Sequence, residues 1–220
     1  MMLETIDIQT APAPTASIIW LHGLGADGHD FESVVPHIVA ARERAWRFVF
    51  PHAPVRPVTL NGGMRMRAWY DIASLDGNRI EDRAGFIDAQ ARIGELIERE
   101  VGRGIAASRI VLGGFSQGGA VSLYVAPRHP ERLAGVLALS CYLPFADRLS
   151  AERVGANDAT PIFMAHGTAD NVLPHALGLR SRDHLRSAGY RVEWHDYPMP
   201  HAVCAEEIAA IRQFLFTVLP

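Results

Sequence analysis

One stretch limits the folds open to this chain more than any other. The run Arg109-Ile110-Val111-Leu112 enters Gly113-Gly114-Phe115-Ser116-Gln117-Gly118-Gly119 and continues into a helix-like segment at residues 120–126. G-x-S-x-G between a strand and a helix requires a sharp turn whose apical serine takes a strained backbone conformation. Gly114 and Gly118 stand two residues to either side, where strand and helix pass too closely for side chains. A chain built around such a turn is an α/β protein.

The rest of the sequence keeps that rhythm. Strand-like runs are expected at residues 5–9, 17–21, 47–50, 109–113, 135–140, 161–165 and 191–197. Several are continuously apolar, as parallel strands covered on both faces should be. Between them, residues 85–102 set Phe86, Ala89, Ile93, Leu96, Ile97 and Val101 on one helical face. Amphipathic stretches follow Pro174 and span residues 204–218. Residues 51–82, rich in Pro, Gly and Arg, break the rhythm and read as a long irregular insertion of the kind that often serves function. At 220 residues, with no repeat or linker, a single domain is expected.

Composition narrows the chemistry. All 21 basic residues are Arg, which excludes a catalytic lysine or Schiff base and removes the lysine that a phosphate-binding loop needs. A formal charge of −3 with interspersed signs gives no footprint for nucleic acid. No run approaches the roughly 20 apolar residues of a membrane span, so no stable membrane insertion is expected. Cys141 and Cys204 offer neither a disulfide framework nor metal-ligand spacing and read as small buried apolar residues. The opening nine residues carry neither a basic leader nor an apolar run, and a cytoplasmic location is expected.

A serine hydroxyl attacks only when a base can take its proton, and histidine suits that task near neutral pH. Around this kind of turn the order along the chain is Ser, then acid, then His. His201, in Tyr197-Pro198-Met199-Pro200-His201, falls in a loop after the last strand. His175, His184 and His195 fall too near the acid, inside a helix or inside a strand. Asp170, in His166-Gly167-Thr168-Ala169-Asp170, lies beyond the carboxyl end of the strand at 161–165 and is preferred over Asp158, Asp183 and Asp196. His22 and His166 are expected to brace loops. Acyl transfer also needs donors for an oxyanion. The backbone N–H of Gln117 is one, and that of Leu24, in Trp20-Leu21-His22-Gly23-Leu24-Gly25, is expected to be the other. Met64, Met66, Trp69 and Tyr70 carry enough apolar surface to line a substrate groove or, equally, to pack a surface loop.

These residues fall into six blocks in a familiar order: 20–27, 50–54, 66–71, 114–119, 166–170 and 199–201. Together they resemble the bacterial carboxylesterase branch of the phospholipase/carboxylesterase family, which also holds the acyl-protein thioesterases. The resemblance implies an α/β-hydrolase fold, with a mostly parallel central sheet, helices on both faces and little or no lid. It implies no metal and no organic cofactor, and a small-molecule ester substrate of short to medium acyl chain. Thioesters or lysophospholipids are the alternatives, and a non-catalytic receptor on the same fold is the rival of another class. It assigns nucleophile, acid and base to Ser116, Asp170 and His201, and oxyanion donors to Leu24 and Gln117. It turns Trp69 and the loop at 61–66, with Met64 and Met66, toward substrate. Members are often dimeric, so a homodimer is an expectation.

Overall fold

The computed structural model describes residues 2–73 and 81–220. Nine strands are present among them: β1 (Thr5–Gln9), β2 (Ala16–Leu21), β3 (Trp46–Pro51), β4 (Val55–Val58), β5 (Met64–Arg67), β6 (Ile110–Phe115), β7 (Gly135–Leu139), β8 (Ile162–Gly167) and β9 (Val192–Tyr197). Seven form one sheet in the order β1-β3-β2-β6-β7-β8-β9. Only β1 runs antiparallel to its neighbour; every other pair in this sheet is parallel.

The apolar strands split cleanly by the two-residue period of a strand. Ile19, Leu21, Leu112, Val136 and Met164 face one core layer, and Ile18, Trp20, Val111, Leu137 and Phe163 face the other. The first layer is completed by α2 (Arg83–Gly102), which buries Phe86, Ala89, Ile93, Leu96 and Ile97, and by α3 (Gln117–Val125). The second is completed by the short α1 (Val35–Ile38) and by α6 (Ala205–Val218), which buries Ile208, Ile211, Phe214 and Leu215. Helices α4 (Leu149–Glu152) and α5 (His175–Ser187) complete the set described. The fold is that of an α/β-hydrolase, with helices on both faces of a mostly parallel sheet.

Three expectations need correction. Val101 is partly exposed at the end of α2, and Glu100 takes the buried position instead. That acid is accommodated because Ser17 Oγ and Arg47 donate to its Oε2 at 2.7 Å each, while Arg103 donates to Oε1 at 3.0 Å. The region 51–82 is not wholly irregular: β4 and β5 pair antiparallel as a hairpin. Gly62 and Gly63 make its turn at φ +65° and +79°, values that only glycine adopts without strain. Residues 74–80 of that region lie outside the described residues. Cys141 is buried as expected, but Cys204 is only partly so, and both are free thiols.

Candidate active site

β6 delivers Ser116 to the carboxyl edge of the sheet. Its φ of 54° and ψ of −117° are strained for a residue with a side chain, and Ser116 N–H donates to Leu139 O on the next strand at 2.8 Å. The crossing is backbone on backbone. A Cβ on Gly118 would stand 2.3 Å from Leu21 O, and one on Gly114 would stand 2.6 Å from the same oxygen. Helix α3 therefore starts directly behind the serine, buried along its whole length.

Asp170 follows β8 and His201 follows β9, and the two loops are laced together. Thr168 N–H donates to Tyr197 O at 2.8 Å and Ala169 N–H to Met199 O at 3.2 Å. A Cβ on Gly167 would meet Met199 O at 2.3 Å, so glycine permits the close approach. The structure brings the three predicted side chains into one line. His201 Nδ1 lies 2.6 Å from Asp170 Oδ2, and His201 Nε2 lies 2.9 Å from Ser116 Oγ. An ionised carboxylate only accepts, so Nδ1 carries the proton and Nε2 is left to accept from the serine hydroxyl. Asp170 Oδ1 accepts from Val172 N–H at 2.9 Å and Leu173 N–H at 2.8 Å, which fixes the carboxylate in a nearly closed site. His166 Nε2–H donates to Leu173 O at 2.9 Å and braces the same loop. Burial draws the His166 pKa down, so the ring stays neutral as a brace.

Leu24 lies in the loop that follows β2, and Gln117 opens α3. As the first helical residue, Gln117 has no intrahelical acceptor for its N–H. A Cβ on Gly23 would fall 3.5 Å from Ser116 Cβ, so the 22–25 loop passes beside the serine. His22 braces that loop. Its Nδ1–H donates to Gly23 O at 2.7 Å, and its Nε2 accepts from Ala53 N–H at 3.0 Å. Burial draws the His22 pKa down to about 4.

A cleft of about 160 Å³ opens in front of Ser116. Its apolar lining comes from Leu24, Leu60, Tyr70, Ile72, Ala73, Tyr142, Val172 and Leu173, with Asp71, Glu81 and Asp82 also present. These acids bind the walls together. Asp71 accepts from Thr59, Asp82 caps α2 through Gly85 N–H, and Glu81 accepts from Phe145 N–H. Of the four side chains expected to line a groove, Tyr70 does so and the other three lie elsewhere. Trp69 is fully buried, its indole N–H donating to His22 O at 3.0 Å. Met64 projects into solvent from β5, and the sulfur of Met66 packs near Gly25 and accepts from Asn61. The cleft residues come from segments far apart in sequence; Leu24, Tyr70, Ser116 and Gln117 stood in recognisable blocks, whereas Leu60, Tyr142, Val172 and Leu173 did not. Among the described residues no cluster of His, Cys, Asp or Glu is arranged to hold a metal, and no helix is long and apolar enough to cross a membrane.

Comparison with known proteins accords with this geometry. Residues 5–219 match the model of the Phospholipase/Carboxylesterase family. Acyl-protein thioesterase 1 of Neurospora crassa is 44% identical over 216 residues, spanning 94% of this chain and 88% of its own. Acyl-protein thioesterase 1 of Mycosarcoma maydis is 39% identical across the whole chain and 98% of its own. Among solved structures, acyl-protein thioesterase 2 of Zea mays superposes with a TM-score of 0.88 at 28% identity, covering 99% of each chain. These relatives are fungal and plant proteins, and they represent the family rather than the bacterial branch that the motifs suggested. The chain belongs to the phospholipase/carboxylesterase family and is a serine hydrolase acting on ester or thioester bonds.

Proposed function

We propose that this chain is an acyl thioesterase of the acyl-protein type, which transfers the acyl group of a cysteine thioester to Ser116 and then to water. The observation that carries the choice of thioester is the near full-length similarity to fungal acyl-protein thioesterases. The motifs alone put carboxylic esters first; these relatives reverse that order. Ester hydrolysis is the second reading, favoured by the family description, which names phospholipases and carboxylesterases.

The geometry supports a two-step acyl transfer. Ser116 Oγ attacks the carbonyl carbon as His201 Nε2 takes its proton. Asp170 holds the ring in the tautomer whose Nε2 is free to accept, and stabilises the imidazolium that forms. The Leu24 and Gln117 N–H groups receive the oxyanion, while Leu24, Ile72 and Leu173 shield the acyl chain from water. Collapse breaks the carbonyl–sulfur bond, and the imidazolium returns its proton to the departing cysteine. Water then attacks the acyl-Ser116 ester with His201 again as base, which releases the carboxylic acid and restores the hydroxyl. Two free thiols suit a reducing compartment, and we place the reaction in the cytoplasm.

Steady-state kinetics on matched oxyesters and thioesters of two to twelve carbons test the choice. The expected result is a kcat/KM several times higher for the thioester at each matched chain length. A wide margin for the oxyesters would restore the carboxylesterase reading. Labelling of Ser116 by a fluorophosphonate, lost in Ser116→Ala, tests the nucleophile; labelling that survives the substitution would refute it.

A further inference from the structure

Trp69 stands outside the cleft, yet hydrogen bonds reach it from both halves of the oxyanion pocket. The Gln117 side chain accepts from Trp69 N–H at 2.8 Å and donates to Tyr70 O at 2.8 Å. The indole N–H of Trp69 donates to the carbonyl of His22, two residues before Leu24, at 3.0 Å. All three side chains are enclosed, with Trp69 0%, Gln117 2% and His22 2% exposed. Beyond Leu24, Gly25 N–H donates to Arg67 O at 2.9 Å, two residues before Trp69. The peptide that presents Leu24 N–H is thus pinned on both sides by the segment that the Gln117 side chain grips.

We infer that Trp69 is a positioning residue, which with the Gln117 side chain forms one strut setting the spacing between the Leu24 and Gln117 amides. This rests on the reading of those amides as the oxyanion donors. Backbone donors must lie within a few tenths of an ångström of where the oxyanion forms, and a misplacement of about 1 Å costs on the order of a hundredfold in rate. The 22–25 loop cannot hold that tolerance unaided. It carries glycines at 23 and 25, the latter at φ +76°. A loop so free in its own backbone needs external ties, and the Trp69 indole is one that links it, through the Gln117 side chain, to α3.

The test uses Trp69→Phe, which removes the indole N–H and keeps most of the ring's bulk, and Gln117→Met, which removes both amide contacts. For each variant and the double variant, kcat and KM are measured on an acyl thioester together with thermal unfolding. Inhibition is measured with an alkyl trifluoromethyl ketone, whose adduct with Ser116 carries an oxyanion, and with the matching secondary alcohol, which forms no adduct. Each single variant should lower kcat by about 10- to 100-fold with KM changed by less than about twofold. Ketone affinity should fall by the same factor, and alcohol affinity should hold. The double variant should lose no more than the more damaging of the two singles, because either cut breaks the same strut. Wild-type kcat and ketone affinity in both singles would overturn the inference. So would KM and alcohol affinity worsening in step with kcat, since Trp69 would then be shaping the groove. Should Trp69→Phe fail to fold, Gln117→Met carries the same comparison. A wild-type enzyme that turns over neither esters nor thioesters overturns the underlying reading instead.

Discussion

Glu207 offers a stability test that is independent of catalysis. It stands in the first turn of α6 with no exposed surface, and neither carboxylate oxygen has a hydrogen-bond partner among the described residues. Burial lifts its pKa from 4.5 to about 8. The Cys204 backbone N–H pulls the other way, from outside hydrogen-bond geometry, and does not offset the burial. The native state therefore holds a proton that the unfolded chain gives up above pH 4.5. Stability from this group is whole below that pH and is lost as pH rises toward 8. At about 1.4 kcal/mol per unit, the gap corresponds to about 5 kcal/mol, of which about 3 kcal/mol is already lost at pH 7. Glu207→Gln replaces the protonated acid with a neutral side chain of the same shape. Its stability advantage over wild type should be near zero at pH 4.5, climb steadily, and level off above pH 8. The titrating neighbours do not intrude on that window: burial first, then Glu207, pushes Tyr197 up to about 12, burial raises Cys204, and hydrogen bonding lowers Glu206. Urea unfolding of both proteins in half-unit steps from pH 5 to 8.5 makes the measurement. A difference that stays flat across the range would mean that Glu207 is ionised in the native state, and the reasoning would fail.

Three further outcomes follow from backbone strain and buried charge. Ser116→Gly relieves a conformation costing about 1–3 kcal/mol, less about 0.5–1 kcal/mol of added chain entropy, so it should unfold later than Ser116→Ala by about 1 kcal/mol while both lack turnover. Thermal unfolding decides it, and an Ala variant of equal or greater stability would contradict the strain argument. Gly118→Ala places a methyl 2.3 Å from Leu21 O and should cost about 3 kcal/mol in urea unfolding, since the nearest atoms it meets are Leu21 backbone and cannot turn aside; wild-type stability would show that β2 and α3 can separate. Glu100→Ala leaves Arg47 buried without its carboxylate and should cost about 3–5 kcal/mol, part of which Arg47→Met should restore in the double variant.

The parts of the site that were legible in the sequence are those imposed by steric rules acting over a few residues. A turn that forces Ser116 to φ 54° leaves Gly114 and Gly118 as its trace, because no other residue fits the crossing. Asp170 and His201 were readable by the same logic. Asp170 follows the apolar run of β8 and His201 follows the alternating residues of β9, and parallel strands end on one edge of the sheet. The main strands were readable because burial on both faces leaves unbroken apolar runs, and their ends agree with the structure to within about two residues. The β4–β5 hairpin was not, since four-residue strands containing Arg and Pro leave almost no periodic signal. Its one trace was the pair Gly62-Gly63.

Trp69 shows why the groove was misread. In sequence it sits among Met, Arg and Tyr in a segment without periodicity, so nothing marks which way the ring turns. What holds it inward is a pair of hydrogen-bond partners far along the chain, His22, 47 residues before it, and Gln117, 48 residues after it. A motif records constraints that neighbours in sequence place on one another; it cannot record an accommodation between loops that meet only when the sheet has formed. The same division governs the chemistry. In the proposed mechanism, attack by Ser116, proton transfer through His201 and capture of the oxyanion are common to esters and thioesters, and they reside in the short, legible motifs. On this proposal the preference between substrates is set by cleft walls assembled from Leu24, Tyr70, Tyr142 and Leu173, which belong to four separate segments. The proposed thioester preference rests on near full-length similarity to relatives because that similarity spans all four segments, which no single block does.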